Sequence, residues 1–396
     1  MSTPAFQRSL VSTIASRMQE PRRFIQIVVG PRQTGKTTAI RQVMEQVAVK
    51  THYFSFDDQS SANADNLREH WHAARQNLKE TGEALLILDE VQRIKMWSST
   101  VKSLWDEDTR LNANLKVVLS GSSPLLLRKG LTESLAGRFE IIYSPHWSLW
   151  ECKQAFDYSL DDYLYFGGYP GAAQLRDDDI RWRAYLRQSI IEPTLTKDVL
   201  LMDEVRKPAV LEELFYIGTA YSAQELSYRK LLGQLQDAGN TNTIANYLGL
   251  LKNAGILTGL FKYDDKIITT RSSSPRMLSF DPALLTLASG RSRYELLSDS
   301  ATRGHVIESA IGSYLLARGQ EDGFELFWWR EGKYEVDFVI KKGLKRTAIE
   351  VKSGRAKSLH GMRSFLQEYP GTYALVVGGS DVSIEDFLLG KCPLFQ

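Results

Sequence analysis

The chain has 396 residues, of which 43% are hydrophobic and 24% charged, with a net charge of +2 at neutral pH. That length suggests two or three domains, the composition is that of an ordinary globular protein, and no apolar run approaches the roughly 18 to 20 residues that span a bilayer. The only two cysteines, Cys152 and Cys392, lie far apart, which argues against a disulfide framework or a cysteine-rich zinc site and fits a reducing cytoplasm. The first twenty residues are polar and lack an apolar h-region, so a secretory signal is not expected. The weak basic balance permits nucleic-acid binding without showing it.

The first clear element is Phe24 to Val29, "FIQIVV", a continuous apolar run rich in β-branched residues. It reads as a buried parallel strand. The residues Gly30, Pro31, Arg32, Gln33, Thr34, Gly35, Lys36, Thr37 and Thr38 follow, and then "TAIRQVMEQVAV" with helical spacing. The spacing G-x-x-x-x-G-K-T between a strand and a helix is the context of a phosphate-binding loop. Glycines let backbone N–H groups close around phosphate oxygens, and the helix N-terminus adds favourable partial charge. Lys36 should reach the β- and γ-phosphates, and Thr37 should ligate magnesium. A purely structural glycine turn is the plainer alternative.

"ALLILDEVQ" is a second buried strand with Asp89 and Glu90 at its C-terminal end, where open α/β sheets bind ligands. Asp89 is expected to hold magnesium, and Glu90 to orient and polarise the attacking water. A third strand, "LKVVLSGSSP", ends in short hydroxyl residues; Ser122 among them could touch the nucleotide, or the run is a Ser/Gly turn. Arg138 follows a glycine in "ESLAGRF"; it is a candidate for the γ-phosphate of a neighbouring subunit, or a surface charge.

The set "GPRQTGKTT", "LLILDEVQ", "LSGSSP" and "SLAGRFEIIYSPHWSLWE" resembles the AAA-type P-loop ATPases, widespread in bacteria and archaea, that carry a long-uncharacterised C-terminal domain. The resemblance covers residues 24 to 151 and implies an AAA+ core over residues 1–150, with ATP and Mg2+ as cofactors. It also implies Arg138 as an arginine finger, with Arg128 as a rival, and a homo-oligomer such as a hexameric ring. Tryptophans stand in "SPHWSLWEC" where the family is typically leucine-rich.

Residues 151–205 read as a helical lid or linker interrupted by the loop "FGGYPGAA", for which no chemical role is apparent. Residues 206–290 read as three helices and a hairpin, "ILTGLFKY" and "KIITT", the layout of a winged helix-turn-helix. Its third helix would offer Thr241, Asn242, Thr243 and Asn246 to DNA, with Arg229, Lys230 and Lys252 for phosphates. Protein interaction or a spacer role is the alternative.

Residues 291–396 hold a second constellation. "GHVIESAIGSYLLARG" is a helix bearing Glu308, and "YEVDFVIKKGLKRTAIEVKSG" a hairpin. Period-two alternation places Glu335 and Asp337 on one face of the first strand, and Glu350 and Lys352 on one face of the second. Asp337 and Glu350 can then converge on a divalent metal, with Lys352 beside them and Glu308 reaching in. The pattern resembles the PD-(D/E)XK nuclease superfamily, Holliday-junction resolvases included, over about residues 304 to 380. That implies a restriction-endonuclease-like α/β domain with Asp337, Glu350 and Lys352 as its catalytic set. A salt-bridged hairpin and an inactive domain of that fold stay open.

The expectation is thus an α/β chain whose AAA+ core hydrolyses Mg-ATP and whose remainder binds DNA, with branched DNA a candidate form, away from any membrane. A nucleotide-gated switch that does not translocate, and an ATP-regulated metal-dependent endonuclease, are the two alternatives.

Overall fold

A computed structural model of the chain describes residues 6–58, 62–121, 134–199, 205–235, 239–265, 274–353, 359–379 and 381–396. These divide into two compact units, Met1–Pro145 and His146–Gln396.

The first unit alternates helix and strand: α1 (Ser9–Gln19), β1 (Ile25–Val29), α2 (Lys36–Gln46), β2 (Lys50–Ser55), α3 (Ala64–Thr81), β3 (Ala84–Asp89), α4 (Trp97–Arg110), β4 (Leu115–Gly121) and β5 (Phe139–Tyr143). The five strands are all parallel, in the order β2-β3-β4-β1-β5. Every residue of β1, β3 and β4 is buried, because helices cover both faces of the sheet. Alternate residues serve opposite sides: Ile25, Ile27, Leu86 and Leu88 pack with Leu67, Trp71 and Trp105 of α3 and α4. Val28, Leu85 and Ile87 pack with Ile14 of α1 and Ile40 and Val43 of α2. The sheet is therefore a rigid plate, and the ends of its central strands are fixed points for function.

The second unit begins with α5 (Leu149–Phe156), α6 (Leu160–Phe166), α7 (Pro170–Ala173) and α8 (Asp179–Tyr185), the last continuing as wider helical turns over Leu186–Ile191 and Thr194–Val199. The expected "FGGYPGAA" loop is in part the short α7, started by Pro170 at its first position. Its two glycines now have a reason. A Cβ on Gly167, at φ +65°, would strike the Asp281 carboxylate, and one on Gly168 would strike the Trp147 carbonyl. The turn docks on Asp281, which accepts the Gly168 N–H at 2.8 Å and the Ala283 N–H at 2.9 Å.

Next come α9 (Pro208–Ala220), α10 (Tyr228–Gln234), α11 (Thr241–Asn253), β6 (Leu257–Leu260) and β7 (Arg276–Ser279). β6 and β7 pair antiparallel, and Glu225 adds an isolated bridge to Arg276. The expected second hairpin strand, "KIITT", lies outside the described residues. The described partner of β6 is β7, further along the chain.

The remainder is α12 (Pro282–Ser289), α13 (Arg293–Ser298), α14 (Ser300–Asp322), β8 (Glu325–Glu331), β9 (Tyr334–Lys342), β10 (Lys345–Val351), α15 (His360–Glu368), β11 (Tyr373–Val377) and α16 (Ile384–Leu388). Its four-stranded sheet runs β11-β10-β9-β8, with β8, β9 and β10 antiparallel and β11 parallel to β10. Trp329, Val336, Val339 and Ala348 pack with Met362 and Phe365 of α15. Trp328 and Trp329 of β8 are buried in the core. Among the described residues no helix is long and apolar enough to cross a membrane.

Candidate functional site

The loop between β1 and α2 is built from residues with little choice of conformation. A Cβ on Gly30 would collide with the Ser144 carbonyl, so only glycine passes there. Gln33 and Gly35 both adopt left-handed backbone, at φ 60° and 87°, and Gly35 caps α2. The Thr34 hydroxyl donates to the Pro31 carbonyl at 3.0 Å. Lys36 starts α2, and its Nζ donates to the carbonyls of Gly30 and Pro31 at 2.9 and 2.6 Å. Arg32 is half-buried, and Thr37 and Thr38 are exposed at the first turn of α2. The turn thus presents backbone N–H groups and a helix N-terminus, the elements of an anion cradle.

Asp89 ends β3, two strands from β1, and draws hydroxyls from three elements. Thr37 Oγ1 donates to its Oδ2 at 3.1 Å, Tyr53 reaches the same oxygen at 3.4 Å, and Ser120, directly opposite on β4, donates to Oδ1. All three partners are neutral donors. Burial, and then the charge of Asp89, push the Tyr53 hydroxyl up to about 12, so it stays a donor. Glu90 sits at φ 55°, a left-handed conformation that costs a non-glycine residue about 1–2 kcal/mol. Its Oε2 accepts from Gln92 Nε2 at 2.6 Å and lies 3.8 Å from Arg93 Nε. Ser122, and the rival Arg128, lie outside the described residues.

Arg8, which no motif singled out, ties this loop to the end of β5. Its guanidinium donates to the Thr34 carbonyl at 3.0 Å, to Ser144 Oγ at 3.1 Å and to the Pro145 carbonyl at 3.1 Å. Nothing local betrays it, because its partners are far away in sequence.

Arg138 precedes β5, which runs parallel to β1 with Ile25 opposite Phe139 and Val29 opposite Tyr143. At about 3.3 Å per residue it stands some 15 Å from the loop, at the other end of the sheet. It forms a two-toothed ion pair with Asp106, at 2.7 and 3.1 Å. It cannot serve its own nucleotide loop.

In the second unit the structure brings together Asp337, Glu350, Lys352 and Glu308, and adds Arg276. Lys352 Nζ donates to Glu350 Oε1 at 2.6 Å, and the Val351 N–H donates to Asp337 Oδ2 at 2.7 Å. Burial raises both carboxyls: Asp337 against the pull of Arg276, and Glu350 up to about 7 with the charge of Asp337 adding to the rise. Arg276 Nη1 donates to Glu335 Oε1 at 3.0 Å and to the Asp337 carbonyl at 3.2 Å, and Nη2 donates to Glu308 Oε1. Among the described residues no three His, Cys, Asp or Glu side chains are grouped so as to hold a metal ion. Of the expected metal set, Glu308 and Asp337 face the Arg276 guanidinium, and Glu350 is paired with Lys352. A cleft of about 1000 Å³ opens over this cluster, with Lys230, His305, Arg330 and Lys333 on its walls.

Residues 22–153 match the model of an AAA domain. Residues 157–295 and 303–393 match two domains of unknown function, DUF8612 and DUF4143. The chain is similar to the uncharacterized protein MJ1544 of Methanocaldococcus jannaschii, 25% identical over 339 residues, covering 80% of this chain and 72% of that one. It is also similar to the uncharacterized protein Rv2008c of Mycobacterium tuberculosis, 26% identical over 374 residues, covering 90% and 79%. Among solved structures it is similar to the Walker-type ATPase paby2304 of Pyrococcus abyssi, with a TM-score of 0.50 and 15% identity, covering 72% of this chain and 97% of that one. The parallel α/β sheet thus has the fold of an AAA-type P-loop ATPase.

Proposed function

We propose that the chain is a magnesium-dependent ATP hydrolase of the AAA type, working as a homo-oligomer whose nucleotide cycle moves or remodels DNA, branched DNA included. The observation that carries the hydrolase reading is the meeting of Thr37 and Ser120 on Asp89 beside Lys36. Hydroxyl and carboxylate oxygens are the donors that suit magnesium, and the hydroxyls around Asp89 leave its charge uncancelled. Thr37 and Asp89 would hold the ion, which would neutralise charge on the β- and γ-phosphates.

The protein's own groups do the rest. Lys36 exchanges two carbonyls for phosphate oxygens. Backbone N–H groups of the loop replace phosphate hydration. Glu90, held by Gln92 and approached by Arg93, orients a water and accepts its proton. Arg138 leaves Asp106 to meet the γ-phosphate bound by a neighbouring subunit.

The DNA part of the reading rests on the second unit. Thr241, Asn242 and Asn246 are exposed on α11, and Arg229, Lys230 and Lys252 are exposed nearby. Asn240 caps that helix by accepting the Thr243 N–H at 3.0 Å. The test is ATP turnover measured without DNA and with duplex, single strand and four-way junction, with oligomer size followed in parallel. Turnover abolished by Lys36→Ala and raised by DNA is expected. Turnover indifferent to every DNA would defeat the motor reading. Mixing Arg138→Ala with Lys36→Ala subunits should restore part of the activity if sites are shared.

A further inference from the structure

Arg276 is one of the most completely satisfied charges in the second unit. Its side chain is 5% exposed. Nε donates to the Ala223 carbonyl at 2.9 Å, Nη1 serves Glu335 and the Asp337 carbonyl, and Nη2 serves Glu308 and faces Asp337 Oδ1 at 3.8 Å. Five N–H donors in a fixed fork match this ring of acceptors.

The backbone gives the guanidinium little freedom to leave. Arg276 pairs with Leu260 of β6 on one side and with Glu225 on the other. The Met277 N–H donates to the Gln224 carbonyl at 2.9 Å, and the Leu226 N–H donates to the Pro275 carbonyl at 3.0 Å. These two bonds clamp the strand from both flanks of Arg276.

The charges close locally. Glu335 is shared with Arg330, whose Nε lies 3.0 Å from Oε2, and Glu350 is paired with Lys352 at 2.6 Å. The Asp337 oxygens are directed to the Val351 N–H and toward Arg276. Of the carboxylate oxygens in this cluster, Glu350 Oε2 is the one buried with no hydrogen-bond partner among the described residues. Glu308 Oε1 and Asp337 Oδ1, the oxygens a divalent ion would have to share, are turned toward the Arg276 guanidinium, and a second cation placed between them would meet its charge at close range.

We propose that Arg276 is the resident cation of this acidic site and excludes a divalent metal from it, so that the site of this chain is metal-free as folded. The inference is independent of the nucleotide-loop reading, because it rests on the second unit alone.

The test is a titration of the full-length, nucleotide-free protein with Mn2+, followed by the electron paramagnetic resonance of the free ion. Asp337→Asn reports which binding belongs to this site. Wild type and Arg276→Lys should show no binding that Asp337→Asn removes. Arg276→Ala should gain one such site per chain, binding at least about tenfold more tightly than any in wild type, a difference of the size metal-site substitutions produce. A wild-type Mn2+ site lost in Asp337→Asn overturns the proposal, and so does a folded Arg276→Ala that gains nothing. Should Arg276→Ala fail to fold, wild type and Arg276→Lys still decide: binding sensitive to Asp337→Asn in either refutes exclusion, and its absence from both supports it.

Discussion

Asp89, buried at the end of β3, and Asp337, half-buried within β9, are both carboxylates on sheet strands, yet their neighbours differ in kind. Asp89 receives hydroxyls from Thr37, Tyr53 and Ser120. Asp337 receives a backbone N–H and faces Arg276. Neutral donors orient a carboxylate and leave its charge available to an incoming cation. A guanidinium cancels that charge within the fold. Similar acids in strands can therefore prepare opposite chemistry, and the partner tells which.

Substitutions at the two sites put this contrast at risk. The largest effect is expected at the first: Glu90→Gln removes the proton acceptor and should lower ATP turnover by about 10²–10⁴-fold while ATP still binds. Turnover measured under saturating ATP checks it, and an unchanged rate would remove Glu90 from the mechanism. At the second site, Arg276→Ala strips a buried counter-charge from partly buried carboxylates and should destabilise the second unit by about 3–5 kcal/mol, read from denaturant unfolding. A loss below about 1 kcal/mol would mean the ion pairs are solvated rather than buried.

Arg8→Ala probes the first site more gently. It frees the Thr34 carbonyl and Ser144 from a buried guanidinium, so ATP affinity should fall by about tenfold, in keeping with the 1.5–3 kcal/mol of a charged hydrogen bond. Calorimetric titration with ATP would show it.

The smallest effect concerns Asp281, whose carboxyl burial pushes up to about 7, against the two backbone N–H groups that pull it down. A folded-state value above the unfolded one means stability present below about pH 4 and lost as pH rises through about 7. Asp281→Asn should flatten the fall in melting temperature over that window, at the cost of about 1 kcal/mol for one disturbed N–H bond. Melting curves from pH 4 to 8 test both parts, and an unaltered slope would assign the pH dependence elsewhere.

Much of the first unit was legible. β1, β3 and β4 are continuous apolar runs because both their faces are covered, and the spacing from Gly30 to Thr37 announces its loop. The acids of the second unit were legible too, since Asp337 and Glu350 follow strand alternation. What closes each site was not. Arg8 reaches Ser144, Arg276 reaches Glu308 and Glu335, and Asp281 reaches Gly168. Each such contact joins residues that only the folded chain brings near, and periodicity in a short window carries no trace of it. The sequence pattern could count the carboxylates around Asp337 but not the arginine that answers them.

The clamping of Arg276 between β6 and the Glu225 segment has a consequence for dissection of the chain. A fragment beginning at Ser300 would keep Glu308, Glu335 and Asp337 and lose the guanidinium that neutralises them from outside. Such a truncated piece would have to take up protons or recruit a foreign ion to stay folded, and its ion-binding behaviour would misrepresent the parent.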